Sequence, residues 1–191
     1  MLDNKNAAIW FVDRHVEEGR GSNVAFREAD GQRRSQTYAE LAERSDLLAG
    51  AFESAGLRRE ERVACLILDQ LEYPEIFWGA LKAGVVPVAL NTLLATSVYQ
   101  ATLDDSRAAC LIVSPELWET VAPALVENKD LRKVIVIGGK TPPKTISYVD
   151  FLQPAKTKKA IFASDDECAF WLYSSGCLLY TSPSPRDVEE T

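Results

Sequence analysis

The sequence holds a single histidine, His15, and no two cysteines at CxxC spacing. The first shortage leaves a Ser–His–Asp set with nothing to form around. His15 sits on a short amphipathic stretch, where a partly exposed structural role is expected. The second excludes a zinc ribbon or a dithiol redox centre. Cys65, Cys110, Cys168 and Cys177 are widely spaced, and three of them lie in apolar strand-like runs. They read as reduced core thiols. Basic charge is also short, with 21 Lys and Arg against 28 Asp and Glu and a formal net charge of −7. No basic patch with interleaved aromatics occurs, which argues against nucleic acid or an anionic membrane as partner. No apolar run approaches the length of a membrane span. Met1-Leu2-Asp3-Asn4-Lys5-Asn6 lacks the regions of a signal peptide, so a cytoplasmic location is expected.

What is present suffices for a core: 47% of the 191 residues are hydrophobic. The length suggests one domain, or one and part of a second. Apolar residues recur at helical spacing from Ala7 to Glu18, ended by Gly19 and Gly21. Val24–Arg27 and Arg33–Thr37 read as strands joined over Ala29-Asp30-Gly31-Gln32. Thr37-Tyr38-Ala39-Glu40 fits a capping box, opening a long helix that Gly56 closes. Apolar strands follow at Arg62–Leu68, Val85–Leu90, Ala109–Val113 and Val134–Ile137. Between them lie helices from Pro74 to Ala83, from a Thr96 or Ser97 cap through Asp105, and from a Ser114-Pro115-Glu116 start. A short helix is expected at Tyr148–Leu152. Strand–helix–strand alternation gives an α/β fold with a parallel sheet covered by helices on both faces.

Near the end, Cys168–Tyr173 reads as a short buried strand that empties into Ser174-Ser175-Gly176. Small residues there let the backbone turn sharply and bring N–H and hydroxyl groups to a ligand, as a phosphate cradle requires. Ile137-Gly138-Gly139-Lys140-Thr141 resembles the end of a nucleotide loop. It lacks the first glycine of that pattern, with Val134 in its place, and Pro142-Pro143 prevents the helix that should follow. No GxGxxG follows a strand. Asp69 lies between strand and helix and reads as a loop or capping residue. Asp165-Asp166-Glu167 reads as a solvated acidic turn, and Asn91-Thr92 as a turn.

Several runs resemble the N-terminal region of adenylate-forming enzymes, the acyl-CoA synthetases and their relatives. They are Thr37-Tyr38-Ala39-Glu40-Leu41, Gly56–Val63, and Gly79–Val88. Asn91-Thr92-Leu93-Leu94, Asp105-Ser106-Arg107-Ala108 and Phe170–Gly176 are most similar to benzoate-CoA ligases. The similarity covers about residues 7–176. It implies the first part of a large N-terminal domain, incomplete here. Ser174, Ser175 and Gly176 match the start of the loop that grips the phosphates of ATP. By the same resemblance the parent enzyme uses ATP, Mg²⁺ and coenzyme A and takes a small aromatic carboxylate. The family's catalytic residues would follow that loop, so no catalytic residue and no metal ligand is assigned in this chain.

The family loop continues with Ser-Thr-Gly, whereas here Cys177-Leu178-Leu179 follows. Cys177–Asp187 resembles the translation of a DNA sequencing adaptor, and residues 177–191 are expected to be a non-native tail after a truncated domain over 1–176. A natural Ser-Pro-rich disordered tail would fit the same composition. A truncated chain should bind none of the cofactors well and could self-associate through exposed apolar surface. The competing reading is a complete, non-catalytic α/β binding or interaction domain.

Overall fold

A computed structural model describes residues 4–29 and 33–173. The chain opens with helical residues 7–17, a π-helical turn over Ile9–Asp13 running into α1 (Arg14–Glu17). Strands β1 (Val24–Arg27) and β2 (Ser35–Thr37) pair antiparallel. Asp30, Gly31 and Gln32 of the predicted turn between them lie outside the described residues. Helix α2 (Tyr38–Ser54) starts at the capping box read from the sequence. The Thr37 hydroxyl accepts from the Glu40 N–H, and the Glu40 carboxylate accepts from the Thr37 N–H at 2.8 Å.

A parallel sheet follows. Its strands are β3 (Arg62–Leu66), β4 (Val86–Ala89), β5 (Cys110–Val113), β6 (Lys133–Val136), β7 (Ile146–Ser147) and β8 (Trp171–Leu172), in spatial order β7-β6-β5-β3-β4-β8. Every pairing in it is parallel. The crossovers are α3 (Glu72–Ala83), α4 (Thr96–Ser106), α5 (Trp118–Val121) and α6 (Tyr148–Leu152). Successive residues of β3 point to opposite faces, and each face has a core. Val63 and Cys65 pack with Leu48, Phe52, Ile76, Ala80 and Phe151 from α2, α3 and α6. Ala64 and Leu66 pack with Tyr99, Leu103 and Val121 from α4 and α5. The α/β architecture with both faces covered is thus the observed one. No helix among the described residues is long and apolar enough to cross a membrane.

Several local expectations are corrected. Neither Thr96 nor Ser97 caps α4: its N-cap is Ala95, and the Thr96 hydroxyl instead donates to the Thr120 carbonyl at 2.8 Å. Ser114 stands at the N-cap ahead of Pro115 and Glu116 as expected, but its side chain makes no capping bond. Pro115–Leu117 form a 3₁₀ turn ahead of α5, and the Ser114 hydroxyl turns back to the loop after β3. That bond takes the Leu68 N–H, so β3 ends at Leu66. Cys65 and Cys110 are buried, but Cys168 is exposed. The strand expected over Cys168–Tyr173 shrinks to β8 and is not buried, because it forms the outer edge of the sheet with no described residue beyond it.

Two close contacts fix the layer of helices. A Cβ on Gly79 of α3 would lie 2.5 Å from the Leu48 Cβ and 3.1 Å from the Ser45 carbonyl of α2. One turn on, the Lys82 amine is fully buried and donates to Asp13 Oδ1 and Asp46 Oδ1, both at 2.6 Å. Lys159 Nζ reaches the other Asp46 oxygen at 2.6 Å.

Gly79→Ala gains about 1 kcal/mol of helix propensity. It must also push two helices apart at a cost of about 1–3 kcal/mol. The net expectation is a lower midpoint in urea unfolding, and an unchanged or higher midpoint would refute the contact. Lys82→Met leaves the buried Asp46 and the half-buried Asp13 without their shared buried cation and should destabilise by about 3 kcal/mol. Lys159→Ala, whose side chain is 83% exposed, should cost under about 1 kcal/mol. Equal losses for the two variants in the same unfolding measurement would refute the assignment of Lys82 as the centre.

Candidate functional site

In open α/β sheets, ligands bind where the strands end at their carboxyl edge. Because all six strands are parallel, their C-terminal ends share one edge. Five connections start there: Ile67–Leu71 after β3, Leu90–Ala95 after β4, Ser114–Pro115 after β5, Ile137–Thr145 after β6, and Tyr173 after β8. The loops are tied by side chains rather than by regular structure. The Ser114 hydroxyl, fully buried, accepts from Leu68 N–H at 3.0 Å and from the Gln70 amide at 3.3 Å. The buried Tyr99 hydroxyl donates to the Asn91 carbonyl at 2.9 Å and accepts from Leu94 N–H at 3.3 Å. Asn91 Oδ1 accepts from Leu93 N–H at 2.9 Å, so Asn91-Thr92 is the turn expected from sequence. At the end of β8 the Tyr173 hydroxyl donates to Asp105 Oδ2 at 2.6 Å. Burial, then this bond to the Asp105 carboxylate, holds the Tyr173 phenol above its usual pKa.

Ser174, Ser175 and Gly176, the residues singled out for a phosphate loop, lie directly after Tyr173 and outside the described residues. Gly138 and Gly139 adopt left-handed φ angles of 73° and 65°, and no helix follows them before Pro142-Pro143. Asp69 is exposed and does not cap α3, whose N-cap is Leu71. With Gln70, Phe26, Tyr73 and Pro74 it lines a cleft of about 290 Å³ between β1 and the start of α3. Burial, with the neighbouring carboxylate of Asp69 adding to it, pushes the Tyr73 phenol up to about 12.

The other candidates are structural. His15 stacks on Tyr38 with ring centroids 4.1 Å apart, and its Nδ1 accepts from Arg20 Nε at 3.0 Å. Asp165 and Asp166 are exposed in a turn, and Glu167 pairs with Arg59. No three His, Cys, Asp or Glu side chains among the described residues cluster as a metal site. Burial pushes the Cys65 thiol to about 12 and the Cys110 thiol up as well, so neither is a nucleophile at neutral pH. The described part of the edge is a frame that places loops. Ser114, Tyr99 and the Tyr173–Asp105 pair were missed from sequence. Their partners lie 46, 8 and 68 positions away, and no local pattern marks such bonds.

The comparisons with known proteins agree with this frame. A family described as AMP-binding enzyme matches residues 12–177. A 4-hydroxybenzoate–CoA/benzoate–CoA ligase of Rhodopseudomonas palustris is 35% identical over 99% of this chain and 36% of its own length. A benzoate–CoA ligase of Thauera aromatica is 37% identical over 90% of this chain and 32% of its own. Among solved structures, a benzoate CoA ligase from Burkholderia xenovorans matches with a TM-score of 0.75 at 36% identity, covering 90% of this chain and 33% of that one. An anthranilate CoA ligase in complex with anthranoyl-AMP matches with a TM-score of 0.82 at 27% identity, covering 92% and 33%. The chain therefore spans about a third of the length of these relatives. Its sheet, its strand order and the matched residues place it together with them: the chain belongs to the AMP-binding enzyme family, in the N-terminal domain of the adenylate-forming CoA ligases.

Proposed function

We propose that this chain is the front third of an ATP-dependent aryl-CoA ligase working in the cytoplasm on benzoate or a close derivative. The observation that carries the reading is the position of β8. It delivers Tyr173 to the carboxyl edge of the sheet, and Ser174-Ser175-Gly176 follow at once. Small hydroxyl residues at that edge would offer hydroxyl and backbone N–H donors to the phosphates of ATP. In the parent reaction a carboxylate oxygen attacks the α-phosphorus of ATP, giving an acyl-adenylate and releasing pyrophosphate. The thiol of coenzyme A then takes the acyl group and AMP leaves. The first step turns a poor electrophile into a good one, and cationic groups at the phosphates stabilise the charge that develops. Mg²⁺ on the phosphates would add to that stabilisation. The names of the relatives, which specify benzoate and hydroxybenzoate, support an aryl substrate.

The chain alone should not complete this reaction, because the residues after the phosphate loop that would bind and activate the acid are not in it. A complete, non-catalytic α/β domain is the weaker reading. Such a domain would cover its edge strand, and Leu172 on β8 is 68% exposed. We further propose that residues 177–191 are not native. The family match ending at residue 177 supports this, while the Rhodopseudomonas alignment, running over 99% of the chain, pulls the other way. The family match weighs more, since Leu178 and Leu179 cannot serve a triphosphate.

Incubated with ATP, Mg²⁺ and benzoate, the purified chain should release no more pyrophosphate than a protein-free control. Release well above that control would overturn the inactivity. Resequencing the source DNA should show a reading frame that departs from this sequence after the Gly176 codon. A natural frame encoding Leu178–Asp187 would reject the non-native tail.

A further inference from the structure

The amino edge of the sheet gathers positive charge. A groove of about 370 Å³ there is lined by Arg58 in the turn before β3, Arg62 at the start of β3, Arg107 at the end of α4, and Lys129 and Arg132 in the run into β6. Glu61 and Arg132, which meet in it, are 71 positions apart, so no basic run marks the cluster in the sequence. The chain as a whole is acidic, at −7, and cations gathered in one place repel unless an anion sits among them. Two carboxylates line the groove. Glu61 is committed: one oxygen accepts from Arg58 Nε at 3.0 Å and Nη2 at 2.8 Å, and the other from Arg132. Asp130 is the second. Arg62 donates to the carbonyls of Ser106 at 2.6 Å, Glu60 at 3.0 Å and Arg107 at 3.3 Å, which fixes its guanidinium without neutralising it. Arg107 and Lys129 are exposed, and neither side chain has a hydrogen bond or ion pair with a described residue. Both stand on fixed backbone. Asn128 holds the loop of Lys129, donating to Asp104 Oδ1 at 2.8 Å and accepting from Leu131 N–H at 2.8 Å. Arg107 ends α4 in the left-handed region, at φ 48° and ψ 46°. A Cβ is strained there and glycine is not. The bond from Arg62 to the Arg107 carbonyl uses the turn but not the side chain. An arginine thus stands where glycine would suit better, with nothing in the chain for its guanidinium to hold, and such an outlier points to a ligand.

We propose that this groove binds a compact free polyphosphate anion, of which pyrophosphate is the smallest. Guanidinium forks match phosphate oxygens in pairs, and uncommitted cations from two separate segments suit an anion with more than one phosphoryl group. Arg107 and Lys129 grip the anion, and Arg62 adds a charge held in place by three carbonyls. No ring lines the groove and Ala109 is its one apolar residue, so a nucleobase or an acyl chain has nothing to pack on. The inference does not rest on the family reading, since it concerns the edge of the sheet opposite the loops that lead to Ser174.

The test is isothermal titration of the 191-residue chain with pyrophosphate at low ionic strength. Saturable binding at one site is expected, weakening as salt is added. Absence of saturation up to about 1 mM pyrophosphate would overturn the proposal. The double variant Arg107→Gly, Lys129→Ser should raise the dissociation constant by about tenfold or more. Its midpoint in urea should stay level or rise, because glycine relieves the left-handed turn, so lost binding cannot be put down to unfolding. Unchanged affinity in that variant would overturn the site. The variant Ser174→Ala, Ser175→Ala should keep the parent affinity within about twofold, as expected for distant, independent positions. Lost binding there would place the anion at the other edge and overturn the site. Citrate, which is multiply charged but lacks phosphorus, should bind about tenfold more weakly than pyrophosphate, and equal affinity would overturn the assignment to phosphate. ATP should bind no more tightly than pyrophosphate. A preference for ATP above about tenfold would overturn the free anion as the occupant.

Discussion

A lysine amine without solvent contact has to be paired, and in this fold the pairing of Lys82 decides where four segments go. Its partners are Asp13 on the N-terminal helix and Asp46 on α2, with the Ala42 carbonyl at 3.4 Å completing the shell. Asp46 in turn holds the strap that follows α6: its backbone carbonyl accepts from Lys158 N–H at 2.9 Å and its side chain takes Lys159. The Lys82 carbonyl accepts from Ile161 N–H at 2.9 Å. The strap lies so close to α2 that a Cβ on Gly50 would sit 1.7 Å from the Lys156 carbonyl. From there the chain reaches β8. The ionic centre on α3 is thus joined to β8 through this strap, although it does not touch the strand.

The opposite end of α3 has a matching centre. Glu75, seven positions before Lys82 and on the same side of the helix, accepts from Gln36 Nε2 at 2.6 Å, Arg44 Nε at 3.1 Å and the Tyr148 hydroxyl at 3.2 Å. Burial raises the Glu75 carboxyl despite the attraction of Arg44. Together the two centres pin α3 to β2, α2, α6 and the N-terminal helix by directional bonds, with Gly79 between them allowing the close approach. Hydrophobic burial alone would let two apolar helices slide; charge-assisted bonds at both ends set the register.

Much of this was readable in advance, and the reasons are local. The Thr37–Glu40 box, the glycine stop after α2, the Tyr148–Leu152 helix and the run of apolar strands are each fixed by residues within a few positions of one another. The errors share one cause. Ser114 has the sequence of a cap and Cys168–Tyr173 the composition of a buried strand. In the fold, a backbone N–H of a neighbouring loop claims the first, and position at the sheet edge exposes the second. Composition describes what a segment can bury, and topology decides whether a neighbour is there. The candidate phosphate-loop residues Ser174-Ser175-Gly176 rest on resemblance alone, since by themselves they cannot be told from an ordinary turn, and they lie outside the described residues.

The separation of frame from chemistry follows from the same topology. A parallel sheet gathers its loops at one edge, so the groups that act must come from segments far apart in sequence. A stretch holding all six strands of this sheet can build the edge completely and still supply few reacting groups. The buried thiols, the stacked His15 and the paired carboxylates are used up in packing the helices and the sheet together. β8 itself is held by two pairings to β4 and by the Tyr173–Asp105 bond. Two paired residues are a slender anchor for a strand. The far edge of the sheet therefore depends on a side-chain bond from α4 as much as on its ladder, the same device that ties the loops after β3 and β4.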